Sequence, residues 1–184
     1  MFTVLKLYPG SIEFEVLLAA HLVGPKFPVR VATPDGKVYE SASGMRIEAD
    51  FSYHEVKPAD VAVLLVPGGD PGSLLGNEES KRLVRQCHAH HATIGAICAG
   101  PFVLAQAGIL RGRRVAHGYQ REQLEFLAEF FAGVLLSDQR IEIDGNLVTA
   151  KPDSYAAFAL EVARKSGVIT DEKKLQRLGK LYRA

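Results

Sequence analysis

Apolar residues in this chain fall into short unbroken runs separated by longer stretches of helical spacing, and that rhythm predicts strands and helices in turn. FTVLKLY (2–8) predicts a strand, stopped by Pro9-Gly10-Ser11. EFEVLLAAHLV (13–23) predicts a helix ending at Gly24-Pro25, a stop signal. FPVRVAT (27–33) predicts a second strand closed by the turn Pro34-Asp35-Gly36, and residues 37–48 one or two short strands around Ser43-Gly44. VAVLLVP (61–67) is the continuous run of a strand covered on both faces. Residues 78–91 predict an amphipathic helix with Leu83, Val84 and Cys87 on its inner face. TIGAI (93–97) is another buried strand, with a helix over 100–107 behind it. RRVAHG (113–118) reads as a short strand and residues 121–131 as a helix. IEIDGNLVTA (141–150) places an Asp-Gly-Asn turn between two alternating runs, a hairpin signal. A helix over 154–166 ends in Arg164, Lys165 and Gly167, and a charged helix over about 171–182 lies outside it.

Strands alternating with helices imply right-handed crossovers, hence an α/β fold: a doubly wound, mostly parallel sheet with helices on both faces. The 184 residues are expected to form one domain, its core spanning about 2–167. Ligands in such sheets sit beyond the carboxyl ends of the strands. Chemistry is therefore sought at the ends of strands 2–8, 61–67, 93–97 and 113–117. Charge narrows the partners: 22 basic against 21 acidic residues leave no cationic surface for nucleic acid or an anionic membrane. Two cysteines make no disulfide framework and suit a reducing compartment. The opening MFTVLKLYPG lacks the features of a secretion signal, so a cytoplasmic protein is expected. The uncharged stretch 94–110 just reaches spanning length, but Pro101 would break a helix through it. A buried strand, a sharp turn and a buried helix explain it better.

Three strand ends carry distinctive residues. In Ala96-Ile97-Cys98-Ala99-Gly100-Pro101, a nucleophile stands between strand and helix with small neighbours on both sides, the pattern of a nucleophile elbow. Such an elbow strains the nucleophile's backbone, and a helix N-terminus beneath Cys98 favours thiolate over thiol. In Pro67-Gly68-Gly69-Asp70-Pro71-Gly72, glycines after a buried strand expose backbone N–H groups able to hold an oxyanion. It lacks the Lys-Ser/Thr of a phosphate-binding P-loop, and no cofactor is expected. Third, the helix over 13–23 is apolar almost all round, so Glu13 or Glu15 is held inside, where burial raises a carboxyl pKa. Periodicity does not choose between the two.

PGSIEFE, LLVPGGDPG, AICAGP and VAHG together resemble the ThiJ/PfpI superfamily, from about residue 2 to 167. The resemblance implies a flavodoxin-like fold shared with class I glutamine amidotransferases, and a homodimer. It makes Cys98 the reactive cysteine, hydrogen-bonded by a protonated Glu15. It places the oxyanion donors on the backbone N–H groups of Gly69 and Ala99, and matches His117 to a histidine near the cysteine. Gly68, Ser43 and Asp153 are expected to border the pocket. One departure matters: peptidase and chaperone branches carry histidine directly after the cysteine, where this chain has Ala99. Nor does any histidine follow His117, so the late His-x-Glu of the amidotransferases has no counterpart. A Cys98–Glu15 pair remains, with His117 as its candidate assistant, and its two groups titrate as a unit.

Cys87 is expected in the core. His88, His90 and His91 do not converge on one point, so no metal site is expected. The functional expectation is a cysteine-dependent enzyme acting on a small electrophile, by glyoxalase-, deglycase- or hydratase-like chemistry. The alternative is a redox sensor or stress-response protein whose Cys98 is oxidised to a sulfinate beside Glu15. An amidase or peptidase is disfavoured by Ala99.

Overall fold

The computed structural model describes residues 1–184. In chain order its elements are β1 (Phe2–Lys6), α1 (Phe14–Val23), β2 (Val29–Thr33), β3 (Tyr39–Glu40), β4 (Arg46–Ile47), β5 (Phe51–Ser52), β6 (Val61–Val66), α2 (Glu78–Ala89) and β7 (Thr93–Ile97). There follow α3 (Gly100–Gln106), β8 (Arg114–Ala116), α4 (Arg121–Phe126), β9 (Leu135–Ser137), β10 (Ile141–Asp144), β11 (Leu147–Ala150), α5 (Tyr155–Lys165) and α6 (Glu172–Tyr182). Seven strands form one sheet in the order β10-β11-β7-β6-β1-β2-β5. Every neighbouring pair is parallel except the hairpin β10–β11.

β6 and β7 are buried along their whole length, which explains their uniform apolarity: helices cover both faces of the sheet. On one face Leu64 and Ile94 pack with Leu83, Val84 and Phe102 from α2 and α3. On the other, Leu65 and Val63 meet Val16 and Val23 of α1 and Phe158 and Val162 of α5. Asn77 caps α2 by accepting from the Ser80 N–H at 2.8 Å, and Asp171 caps α6 in the same way. No helix is long and apolar enough to cross a membrane.

The expected alternation is present, with three corrections. The 113–118 strand does not join the main sheet: β8 pairs only with β9, a three-residue strand whose pattern is too short to read. The N–H of Ala116 is taken by the Thr149 hydroxyl of β11 at 3.0 Å, and Arg113 and Arg114 pair with Asp144 and Glu142 of β10. These contacts dock the ribbon on the sheet edge and set His117 and Gly118 beside the end of β7. Second, the helix expected over 121–131 ends at Phe126 and continues as tight turns. The turns bring both Phe130 and Phe131 onto Phe102, at 4.9 and 6.4 Å between ring centroids. Third, β5 has two residues and no periodicity to show.

Lys6 falls inside a strand whose pattern reads as apolar, and it is fully buried. Its Nζ has no hydrogen-bond partner and lies 4.0 Å from the centroid of the Tyr53 ring. Burial pushes its pKa well down, so the unfolded chain takes up a proton that the folded chain does not. Stability from this group is therefore lost as pH falls below the unfolded value of about 10.4. Lys6→Met should raise stability at pH 7 by about 1–3 kcal/mol and flatten that slope, read from urea midpoints between about pH 6 and 9.

Candidate active site

The carboxyl ends of β1, β6 and β7 converge on Cys98. Cys98 has a positive φ of 62°, costly for a side-chain-bearing residue. Its neighbours hold it there: its N–H donates to the Ala150 carbonyl at 2.9 Å, and its carbonyl accepts from the Gly118 N–H at 2.8 Å. Gly100 lets the elbow close, since a Cβ there would stand 2.5 Å from the Val66 carbonyl oxygen. The expected elbow is thus present, built from three sheet strands and the 117–118 loop.

Glu15 lies in the first turn of α1 and is only 2% exposed. Its Oε2 accepts from the Gly68 N–H at 2.7 Å, and it and the Cys98 Sγ flank Gly68, 2.8 and 2.7 Å from where a Cβ would stand. The backbone N–H groups of Gly69 and Ala99 lie near enough to the Cys98 sulfur to favour its thiolate form. Gly69 adopts a φ of 114°, and a bridge from Gly69 to Ser11 locks its loop to the loop after β1.

Burial raises the Glu15 carboxyl, while the bonds from Gly68 and Cys98 pull it back. Burial, then the charge of an ionised Glu15, pushes the Cys98 thiol up to about 12; the Ala99 and Gly69 N–H groups act the other way. Helix position alone therefore does not make a free thiolate here, and α3 has only seven residues. Because an ionised Glu15 is among the causes that raise the thiol, protonation of Glu15 favours the Cys98 thiolate.

Glu13 belongs to a different cluster. The Ser43 hydroxyl donates to its Oε1, and Ser41 lies 3.0 Å from Ser43. Burial pushes Glu13 up, but the Ser43 and Ser41 hydroxyls and its own N–H outweigh that and hold it below the ordinary carboxylate range. The two glutamates thus move in opposite directions. Ser43 serves Glu13 and makes no hydrogen bond to Cys98 or Glu15. Asp153 is exposed and pairs with Arg140 at 3.4 Å; it does not cap α5. Gly68 is central: a Cβ there would lie 2.6 Å from Cys98 Cβ, 2.7 Å from its Sγ and 2.8 Å from Glu15 Oε2.

His117 stands beside Gly118 but makes no hydrogen bond to Cys98 or Glu15. Its Nδ1 accepts from the Tyr119 N–H at 3.1 Å, and burial, then Lys151, lowers its pKa. It is a neutral imidazole at the rim. Two tyrosines carry no signal in the sequence. Tyr8 donates to the Pro67 and Gly68 carbonyls, both at 2.8 Å, and Tyr119 to the Ala99 carbonyl at 2.8 Å. Tyr8 thereby fixes the peptide that carries the Gly69 N–H, and Tyr119 the one that follows Ala99. Both follow strands whose ends are marked for chemistry, but tyrosine in an apolar run reads as core. Cys87 is fully buried on α2, its thiol pushed up to about 12 by burial. His88, His90 and His91 lie at the opposite end of β7 from Cys98.

The sequence model of the DJ-1/PfpI family matches residues 5–165. An uncharacterized protein of Methanocaldococcus jannaschii is 36% identical over 124 residues, covering 66% of this chain and 60% of that one. The chain thus spans three fifths of that relative. The deglycase PfpI of Pyrococcus furiosus is 29% identical over 133 residues, 70% of this chain and 76% of the relative. The crystal structure of a DJ-1 superfamily protein from Agrobacterium tumefaciens superposes with a TM-score of 0.79 at 25% identity, covering 99% of this chain and 100% of that one.

Proposed function

Because the chain belongs to the DJ-1/PfpI family, we propose that it is a cysteine-dependent enzyme that adds the Cys98 sulfur to a small carbonyl electrophile, in glyoxalase- or deglycase-like chemistry. One observation carries this reading: the Cys98 sulfur and the Glu15 carboxyl converge on Gly68, where a Cβ would lie 2.7 Å from Sγ and 2.8 Å from Oε2, with the Gly69 and Ala99 N–H groups beside the sulfur. As Sγ forms its bond to the carbonyl carbon, the C=O π pair moves onto oxygen beside those donors. The proton shared by Cys98 and Glu15 passes through the carboxyl to that oxygen, giving a neutral hemithioacetal. With an α-oxoaldehyde, Glu15 can then move the carbinol C–H proton to the adjacent carbonyl carbon, while the carbinol O–H proton passes to that carbonyl's oxygen. The product is a 2-hydroxy thioester, which water cleaves to the 2-hydroxy acid and the thiol.

Consumption of methylglyoxal with formation of lactate tests the reading. Cys98→Ala should lower it by about 10³-fold or more, as expected for loss of a covalent nucleophile. Activity that survives the substitution removes the proposal. A redox-sensing role is favoured by a separate observation: Cys87 is fully buried, so no second thiol stands ready to intercept a Cys98 sulfenate on its way to sulfinate.

We further propose that the chain forms a homodimer through α1. This helix is apolar almost all round, yet it leaves Phe14 54% and Leu17 43% exposed, with Phe14 stacked edge-on to Tyr155 at 5.8 Å. Sedimentation should give twice the 20.0 kDa chain mass, and Leu17→Asp should shift it to the monomer. A monomeric wild type would end this proposal.

A further inference from the structure

We propose that the electrophile attacked by Cys98 carries an uncharged aryl or branched-alkyl tail, held in the groove between the 70–75 turn and α4. This rests on the reading of Cys98 as the atom that meets the substrate. The groove encloses about 590 Å³. Its walls include Phe126, 88% exposed, and Leu75 and Phe130, both exposed, with Phe102 and Leu127 behind them. Large apolar side chains gathered in water along one concavity mark a surface built for an apolar ligand.

Two connections tie the groove to the sulfur. Asp70, at one end, directly follows the donor Gly69. Tyr119, also in the wall, donates to the carbonyl of Ala99, the residue that supplies the other donor. Phe102 lies in the first turn of α3, four residues after Cys98. The groove thus begins at Asp70 and Tyr119, each one step from a residue beside the sulfur, and we place the substituent of a carbonyl carbon held at Sγ along this wall. Charge then narrows the class. The charged groups lining the groove are the carboxylates Asp70 and Glu122, and no lysine or arginine joins them. Gln123 is already bonded to the Gln120 N–H at 2.9 Å. A phosphorylated or carboxylated tail would meet two like charges with no cation to offset them, whereas a phenyl or isobutyl group would cover apolar wall.

The test reads Cys98 itself, so it does not depend on turnover. Iodoacetamide, its N-benzyl derivative and its N-(4-carboxybenzyl) derivative are each reacted with the protein, Sγ displacing iodide. Cys98 labelling is followed by peptide mass spectrometry, and each rate is divided by that of a free thiol. The benzyl reagent should gain about ten- to hundredfold over iodoacetamide, the range for burying a phenyl ring. The carboxybenzyl reagent should lose most of that gain. Phe126→Ser, at a site open to solvent, should cut the benzyl advantage by about fivefold or more, with Leu75→Ser as the second variant. A benzyl reagent no faster than the free-thiol ratio, or a carboxybenzyl reagent equally fast, overturns the proposal. So does an advantage that vanishes as protein concentration rises, which would make the groove an interface between copies. Phenylglyoxal and methylglyoxal separate the two readings. A labelling advantage with neither aldehyde consumed keeps the tail site and removes the enzyme; methylglyoxal turnover without the advantage keeps the enzyme and overturns the tail site.

Discussion

Glu15→Gln should lower α-oxoaldehyde turnover by about 10²- to 10⁴-fold, the usual contribution of a positioned acid–base group, while Cys98 stays open to alkylation. The amide nearly matches the carboxyl in shape. Its oxygen can still accept from the Gly68 N–H, and its NH₂ can still reach Sγ. What it lacks is a proton to hand to the oxyanion or a base to take one from carbon. The loss should therefore fall on kcat rather than KM. Stability should move the other way. The folded pKa of Glu15 is raised, so its contribution to stability is full below the unfolded value of about 4.3 and is lost as pH rises through the folded value. An amide in its place does not titrate and has no such loss, so the variant should melt higher than wild type at pH 7. Wild-type turnover in Glu15→Gln, together with a dead Glu13→Gln, would move the acid–base role to the cluster around Ser43.

Gly68→Ala should be almost as damaging to turnover, by about 10²-fold or more, although it adds one methyl group and no charge. The methyl would land within 2.8 Å of Cys98 Cβ, its Sγ and Glu15 Oε2, and none of these can yield freely. Cys98 is pinned by Ala150 and Gly118, and Glu15 is anchored in a buried helix turn. The added methyl must push the nucleophile and its carboxyl apart. Overpacking of this kind costs about 1–3 kcal/mol, so the protein should still fold, and circular dichroism should confirm it. Gly68→Ala with full activity would show that the Cys98–Glu15 contact is not needed for turnover.

The middle of the sheet was legible because β6 and β7 are buried on both faces. VAVLLV and TIGAI have no charged position to confuse the pattern, and Gly24, Gly36 and Gly167 punctuate the chain where the structure turns. The elbow was legible for a related reason: Cys98 needs Gly100 behind it so that the turn can touch the Val66 carbonyl, and that need is written in the sequence. Strands β5 and β9 were not legible, because they exist only through pairing with β2 and β8. Lys6 escaped as well. Its long apolar stem continues the strand pattern, and only the Tyr53 ring above it shows where its nitrogen ends up.

By itself, then, the sequence determined the order of elements, the parallel sheet, and the location of Cys98 and a glycine-rich loop at strand ends. Those are local consequences of hydrophobic period and of small residues at sharp turns. Hydrophobic period did not separate Glu13 from Glu15; the motif resemblance pointed to Glu15, and the tertiary structure supplies the physical reason it is Glu15 that faces the sulfur. Glu13 and Glu15 share a helix start and are both buried, but the 41–45 turn folds onto one and the Gly68 loop onto the other, and those loops arrive from distant parts of the chain. Tertiary structure likewise decided that β8 leaves the sheet and that Tyr8 and Tyr119 brace the peptides after Gly68 and Ala99. Hydrogen bonds between residues 20 to 60 positions apart made these choices, and no periodicity along the chain records them.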